Sequence, residues 1–143
     1  MATYRTRIVS SQAPAALFLY MARFSNATEW DPSVSAAEEL SPGPPALGSS
    51  YRLHVRSFGR SIPLEYHIVE FDEPHRVVLR AENSLLLSLD VIEVTDGPEG
   101  QSTLSYDATL TLKGPLVIFS SVLNRPFRHL GDQAAAGLRT AVA

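Results

Sequence analysis

The sequence predicts an α+β fold: a curved antiparallel β-sheet wrapped around a long C-terminal helix, with two short helices after the first strand. Three observations carry that prediction. Strand-length segments alternate cleanly, as in Leu104, Tyr106, Ala108, Leu110 and Leu112 against Thr103, Ser105, Asp107, Thr109 and Thr111. This is the pattern of an antiparallel sheet covered on one face only. Turn clusters such as Asp72-Glu73-Pro74 and Asp96-Gly97-Pro98-Glu99-Gly100 punctuate those segments. The C-terminal segment switches period, with Leu116, Phe119, Leu123, Phe127, Leu130, Ala134 and Leu138 at helical spacing.

Bulk properties bound the rest. A chain of 143 residues with 45% hydrophobic content is one domain, residues 1–143, able to bury a core unaided. A net charge of -3 argues against nucleic-acid and anionic-membrane partners, which select a basic surface. With no cysteine, disulfide scaffolds, thiol nucleophiles and cysteine-ligated metals are excluded. The N-terminus lacks a signal-like apolar run, and Leu116 to Leu123 is far shorter than the ~20 residues of a membrane span. The expectation is a cytoplasmic protein without stable membrane insertion, either monomer or homodimer.

Taking the elements in order, Thr3 to Val9 reads as the first strand. Ser10 to Pro14 opens a short helix through Leu17, Phe18 and Met21, with a Ser cap and Pro near the first turn. Ser25 to Glu29 reads as a second capped helical turn, ending at Trp30 because Asp31-Pro32 disfavours further helix. Val34 to Leu40 is a short strand, followed by a Pro- and Gly-rich loop.

Tyr51 to Phe58 and Ser61 to Phe71 flank Gly59-Arg60, the signature of a two-residue type II′ hairpin. Phe58 would then face Ser61, Tyr51 would face Ile68, Leu53 would face Tyr66, and Val55 would face Leu64. Arg52 would oppose His67, and His54 would oppose Glu65, on the wet face. His75 to Glu82 is a strand with Val77, Leu79 and Ala81 on one face. Leu85 to Thr95 is another, and it admits two frames. One turns Ser88, Asp90, Ile92 and Val94 inward. The other turns Leu85, Leu87, Leu89 and Val91 inward, buries more apolar groups, and is preferred. In the final helix, Pro126 either kinks the helix and widens a mouth or separates two helices. Ala134-Ala135-Ala136-Gly137 makes its second half thin enough for close approach to the sheet.

The order of these elements is the helix-grip arrangement, and the sequence resembles the SRPBCC (START-like) superfamily. The resemblance rests on Pro14 before the first helix and on Phe24-Ser25-Asn26-Ala27-Thr28-Glu29-Trp30-Asp31-Pro32. Phe71-Asp72-Glu73-Pro74-His75-Arg76, Leu104-Ser105-Tyr106, Lys113-Gly114 and the final helix complete it. It spans the chain, and its nearest flavour is the polyketide cyclase/dehydrase-like branch. That resemblance implies a cavity more firmly than a reaction. A curved sheet gripping one helix leaves space, and the expected lining is Trp30, Tyr51, Leu53, Val55, Leu64, Tyr66, Leu79, Tyr106, Leu123 and Phe127. The occupant would be a small hydrophobic molecule. The competing reading is a solid core; three inward tyrosines, whose buried hydroxyls need partners, favour the cavity.

For chemistry the sequence offers little. No nucleophile elbow, zinc motif, P-loop or dinucleotide fingerprint occurs, and no catalytic residue, metal ligand or cofactor is assigned. His54, His67, His75 and His129 read as surface or rim residues, and Arg56 and Arg80 as outward-facing. Asp90, if inward, would have a raised pKa suited to acid–base work. Binding of a lipid-like or aromatic molecule is the leading reading. A cyclase or dehydratase acting in the same cavity and a protein-partner adaptor are the alternatives.

Overall fold

The computed structural model describes residues 1–57 and 59–143. Among them, seven strands form one antiparallel sheet: β1 (Ala2–Ser10), β2 (Val34–Glu39), β3 (Ser50–Ser57), β4 (Arg60–Asp72), β5 (Arg76–Glu82), β6 (Leu86–Asp96) and β7 (Ser102–Leu112). Their order is β1-β7-β6-β5-β4-β3-β2. Strands β2 to β7 therefore form a meander, and β1 adds to its far edge. The excursion from β1 to β2 spans the sheet through α1 (Pro14–Ala22), a 3-10 turn at Phe24–Asn26, and α2 (Ala27–Trp30). After β7, a 3-10 segment at Gly114–Val122 leads into α3 (Asn124–Ala141).

The hairpin sorts as the alternation demands, but its register differs from expectation by two residues. Tyr51 pairs with Tyr66, Leu53 with Leu64, Val55 with Ile62, and Ser57 with Arg60. A slip of two keeps every side chain on its face, so the apolar pattern cannot distinguish the two registers; only a slip of one would invert it. Gly59, at φ +74, takes the left-handed conformation for which glycine is suited. The expected facing of Phe58 and Ser61 lies outside the described residues. On the wet face the slip changes partners. Arg52 lies opposite Glu65, while His54 stands opposite Pro63 and bonds Glu38 of β2 at 3.0 Å.

Strand β6 takes the frame that the apolar count disfavours. Ser88, Asp90, Ile92 and Val94 are buried, while Leu87, Leu89 and Val91 are only half-buried on the outer face. The neighbouring strands impose this. Directly opposed residues share a face, and Asp90 sits between Leu79 of β5 and Ala108 of β7, just as Ile92 sits between Val77 and Tyr106.

Two helix-start expectations are also corrected. The residue at the α1 cap is Ala13, with no side-chain cap. Ser10 ends β1 facing inward, and its buried hydroxyl instead donates to the Val142 carbonyl at the chain's end. Asn26, before α2, donates its side-chain amide to the Tyr20 carbonyl (2.9 Å) rather than capping. Pro126 lies in the first turn of α3, where a missing N–H costs nothing. It follows a break between two helical segments and does not kink a continuous helix.

The amphipathic α3 lies across β1 and α2. Tyr4 donates to Asp132 at 2.6 Å, tying the helix to the first strand. Gly137 abuts the backbone of Trp30 so closely that an added Cβ would lie 1.9 Å from its carbonyl oxygen. The thin stretch of α3 thus serves contact with α2 as well as with the sheet.

Candidate functional site

A cavity of about 200 Å³ lies between α3 and the concave face of the sheet. Its floor comes from Leu53 and Val55 of β3, Leu64 and Tyr66 of β4, Ser88 and Asp90 of β6, and Tyr106 and Ala108 of β7. Its roof is the inward stripe of α3, including Phe127, Leu130, Ala134 and Leu138, and α2 closes one side with Ala27 and Trp30. Arg56 is the one exposed residue among those bordering it, so it marks the rim.

Seven of the ten residues expected to line a cavity do so: Trp30, Leu53, Val55, Leu64, Tyr66, Tyr106 and Phe127. Tyr51, Leu79 and Leu123 stand elsewhere. Tyr51 and Leu79 are 1% and 0% exposed and belong to packed core. Tyr51 stands opposite Tyr66 and Leu79 opposite Asp90, beside lining residues but packed into the buried core. Leu123 sits half-buried at the junction ahead of α3.

Four aromatic rings form a continuous wall. Tyr66 meets Phe24 edge-on at 4.9 Å, Phe24 meets Trp30 at 6.3 Å, and Trp30 meets Tyr106 at 5.5 Å. Each pair is tilted by 61–70°, the edge-to-face geometry that aromatic quadrupoles favour. The wall is therefore apolar, with the Tyr66 and Tyr106 hydroxyls as its polar tips.

Those hydroxyls find protein partners. Tyr66, in register with Ala81 and Ser88 on successive strands, reaches across the small Ala81 to Ser88, Oη to Oγ 2.8 Å. Tyr106 Oη donates to Asp90 Oδ2 at 2.5 Å, a diagonal contact between β7 and β6. Among the described residues Asp90 Oδ1 makes no hydrogen bond, and Asp90 borders the cavity. A second carboxylate, Asp31, enters from the end of α2 and accepts from the Ser33 amide (2.9 Å) and hydroxyl (2.7 Å).

Burial dominates the electrostatics. It pushes the Asp90 pKa up to about 7, against a lowering by the Tyr106 hydrogen bond and with a further rise from Asp31. Burial likewise raises Asp31, and raises Tyr66 and Tyr106 beyond their usual range, with the Asp90 charge adding to both. The polar end of the cavity thus holds two carboxyls and the hydroxyls of Ser33, Tyr66, Ser88 and Tyr106, with the rim Arg56 as the one cation among the described lining residues. Such a site favours neutral donors of hydrogen bonds and repels anions. Groups of three or more His, Cys, Asp or Glu placed to hold a metal ion are absent among the described residues.

Sequence reasoning placed Ser88 and Asp90 inward only in its less favoured frame and missed Asp31 as a cavity residue. For Asp90 the signal was present: β5 and β7 alternate unambiguously, and the inward frame of β6 follows once it is paired with either. For Asp31 no periodicity exists, because it sits at a helix end. His75 and His129 are exposed, as expected of surface residues.

The comparisons bear on this architecture. No curated protein sequence matches the chain. Solved structures do. A START superfamily protein from Mycobacterium smegmatis shares 13% identity at a TM-score of 0.75, with 99% of this chain and 97% of that one covered. A protein from Thermus thermophilus shares 12% at 0.78, covering 98% and 96%. A Streptomyces aromatase/cyclase shares 10% at 0.75, covering 98% and 90%. At these identities the likeness is one of fold. A family model described as polyketide cyclase / dehydrase and lipid transport matches residues 1–143. With the whole chain matched and the helix-grip sheet and helix in place, this protein belongs to the polyketide cyclase / dehydrase and lipid transport family.

Proposed function

We propose that the protein binds a small, neutral, mostly apolar molecule carrying a hydroxyl or similar hydrogen-bond donor. The single observation behind this is the shape of the chemistry in the cavity: an aromatic and aliphatic wall with one polar end, where Asp90 Oδ1 is left unbonded among the described residues. A ligand hydroxyl donating to Asp90 would complete the acceptor capacity that Tyr106 half fills. The volume of about 200 Å³ suits one or two fused rings, since an apolar cavity of about 150 Å³ accepts benzene. Larger lipids would need α3 to move outward.

Native mass spectrometry of freshly purified protein tests the reading. A bound mass that is released on denaturation, and is absent after Tyr66→Trp, is the expected result. Protein that never retains or takes up a neutral hydroxylated aromatic would overturn it.

A second reading is favoured by one observation: Asp90, poised near neutrality beside a phenol, is suited to moving a proton. Acid–base turnover of the bound molecule, as in a cyclase or dehydratase, would use it as base and then acid. Turnover lost in Asp90→Asn while ligand still binds separates this reading from simple carriage.

A further inference from the structure

The 3-10 segment between β7 and α3 exposes an unusual amount of apolar surface. Val117 is 56% exposed, Ile118 74%, Phe119 51% and Val122 67%. Leu85, 52% exposed, joins them, because the Lys113 amide donates to the Leu85 carbonyl at 2.8 Å and brings the two turns together. These are five of the eleven large apolar side chains exposed among the described residues, so the surface is concentrated at one end of the sheet.

No Asp or Glu occurs between Asp107 and Asp132, whereas Lys113, Arg125 and Arg128 do, with His129 beside them. Arg125 and Arg128 are exposed in the first turns of α3 and have no carboxylate partner among the described residues. Of the flanking acids, Asp107 pairs with Arg5 at 3.7 Å, and Asp132, one turn beyond Arg128, accepts from the neutral Tyr4 hydroxyl at 2.6 Å and keeps its charge. Glu82, nearest through Lys113, holds both Lys113 (2.5 Å) and Arg80 (2.6 Å). A chain of net charge -3 thus presents a cationic, apolar tip.

We propose that this tip seats the protein on an anionic lipid bilayer, with Val117, Ile118, Phe119 and Val122 entering the acyl boundary and Arg125 and Arg128 meeting the headgroups. Apolar residues flanked by cations are what an interfacial, non-spanning segment requires. A second copy fits the charge less well, because a two-fold contact would set the uncompensated arginines of both copies against each other. Crossing is not implied: no helix among the described residues is long and apolar enough for that. Phe127 and Leu130, on the turns of α3 that follow, line the cavity. The seated protein would therefore hold its cavity close to the membrane.

Vesicle flotation tests this with the full chain. Phosphatidylcholine vesicles containing about a quarter phosphatidylserine, whose surface attracts polybasic segments, are compared with pure phosphatidylcholine. The expected result is flotation with the anionic vesicles only, weakened by salt. Ile118→Asp with Val122→Asp should abolish it, and Arg125→Gln with Arg128→Gln should lower the partition coefficient roughly thirty-fold, about five-fold for each arginine. All four positions are exposed, and circular dichroism verifies that the variants fold. Failure to float, equal flotation with both compositions, or flotation unchanged in the aspartate variant would overturn the proposal. So would a dimer in sedimentation that Ile118→Asp dissolves while vesicles remain unbound.

Discussion

Two parts of the same concave sheet face, equally apolar in sequence, are covered in different ways. Where α1 covers the sheet, Leu17, Phe18 and Met21 come down from the helix and fill the space. Phe18 meets Phe71 edge-on at 5.4 Å, and Val77, Leu79, Ile92 and Leu104 are wholly buried nearby. Where α3 covers it, the facing residues include Gly131, Ala134 and Ala135, and a void of about 200 Å³ remains. Alternation decides which face is dry. The size of the side chains brought down by the cover decides whether the dry space is filled.

That difference should appear first in stability. Phe18→Ala, in the filled part, is expected to cost about 4 kcal/mol, transfer plus a new cavity. Leu130→Ala, on the wall of the existing void, should cost only about 1 kcal/mol, because it enlarges a space already present. Urea unfolding of both variants makes the comparison, and equal losses would mean the two parts are packed alike.

Gly137→Ala probes how the hollow part is held. At an ordinary helix position this change gains about 1 kcal/mol. Here the new Cβ meets the Trp30 carbonyl, which is backbone and cannot swing aside, so a loss of about 2–3 kcal/mol is expected. The sign alone, read from the urea midpoint, tests whether α3 and α2 touch where the structure places them.

Asp90→Asn probes the polar end. Burial raises the carboxyl from 3.8 to about 7, so the folded chain holds this proton more tightly than the unfolded chain does. Its contribution to stability is greatest below about pH 4, falls as pH rises towards 7, and is flat above. The asparagine variant should gain roughly 1–3 kcal/mol over wild type at about pH 8 and nothing at about pH 4. Unfolding curves at the two pH values decide it; a gain independent of pH would remove Asp90 as the titrating group.

How far the sequence discloses this molecule follows from the same physics. The strands, the short helices and the terminal helix are legible because each carries a period of its own. The β3–β4 register is not, since Tyr51 faces inward whether it pairs with Tyr66 or Ile68. The frame of β6 is misjudged by counting leucines, because Leu87 and Leu89 find half-buried places on the outer face while Ser88 and Asp90 are carried inward by their neighbours. The cavity wall is readable where α3 is the cover, as at Leu53, Tyr66 and Phe127. It is misread at Tyr51 and Leu79, because no pattern states where along a strand the filled part ends.

Calorimetric titration with 2-naphthol, naphthalene and 2-naphthoate tests the central claim most directly, with Ala134→Phe as the filled control. We expect saturable one-to-one binding of 2-naphthol, weaker binding of naphthalene, none of the carboxylate, and none by the filled variant. Tight binding of 2-naphthoate, or 2-naphthol binding that survives Ala134→Phe, would contradict an acid-lined cavity beneath α3.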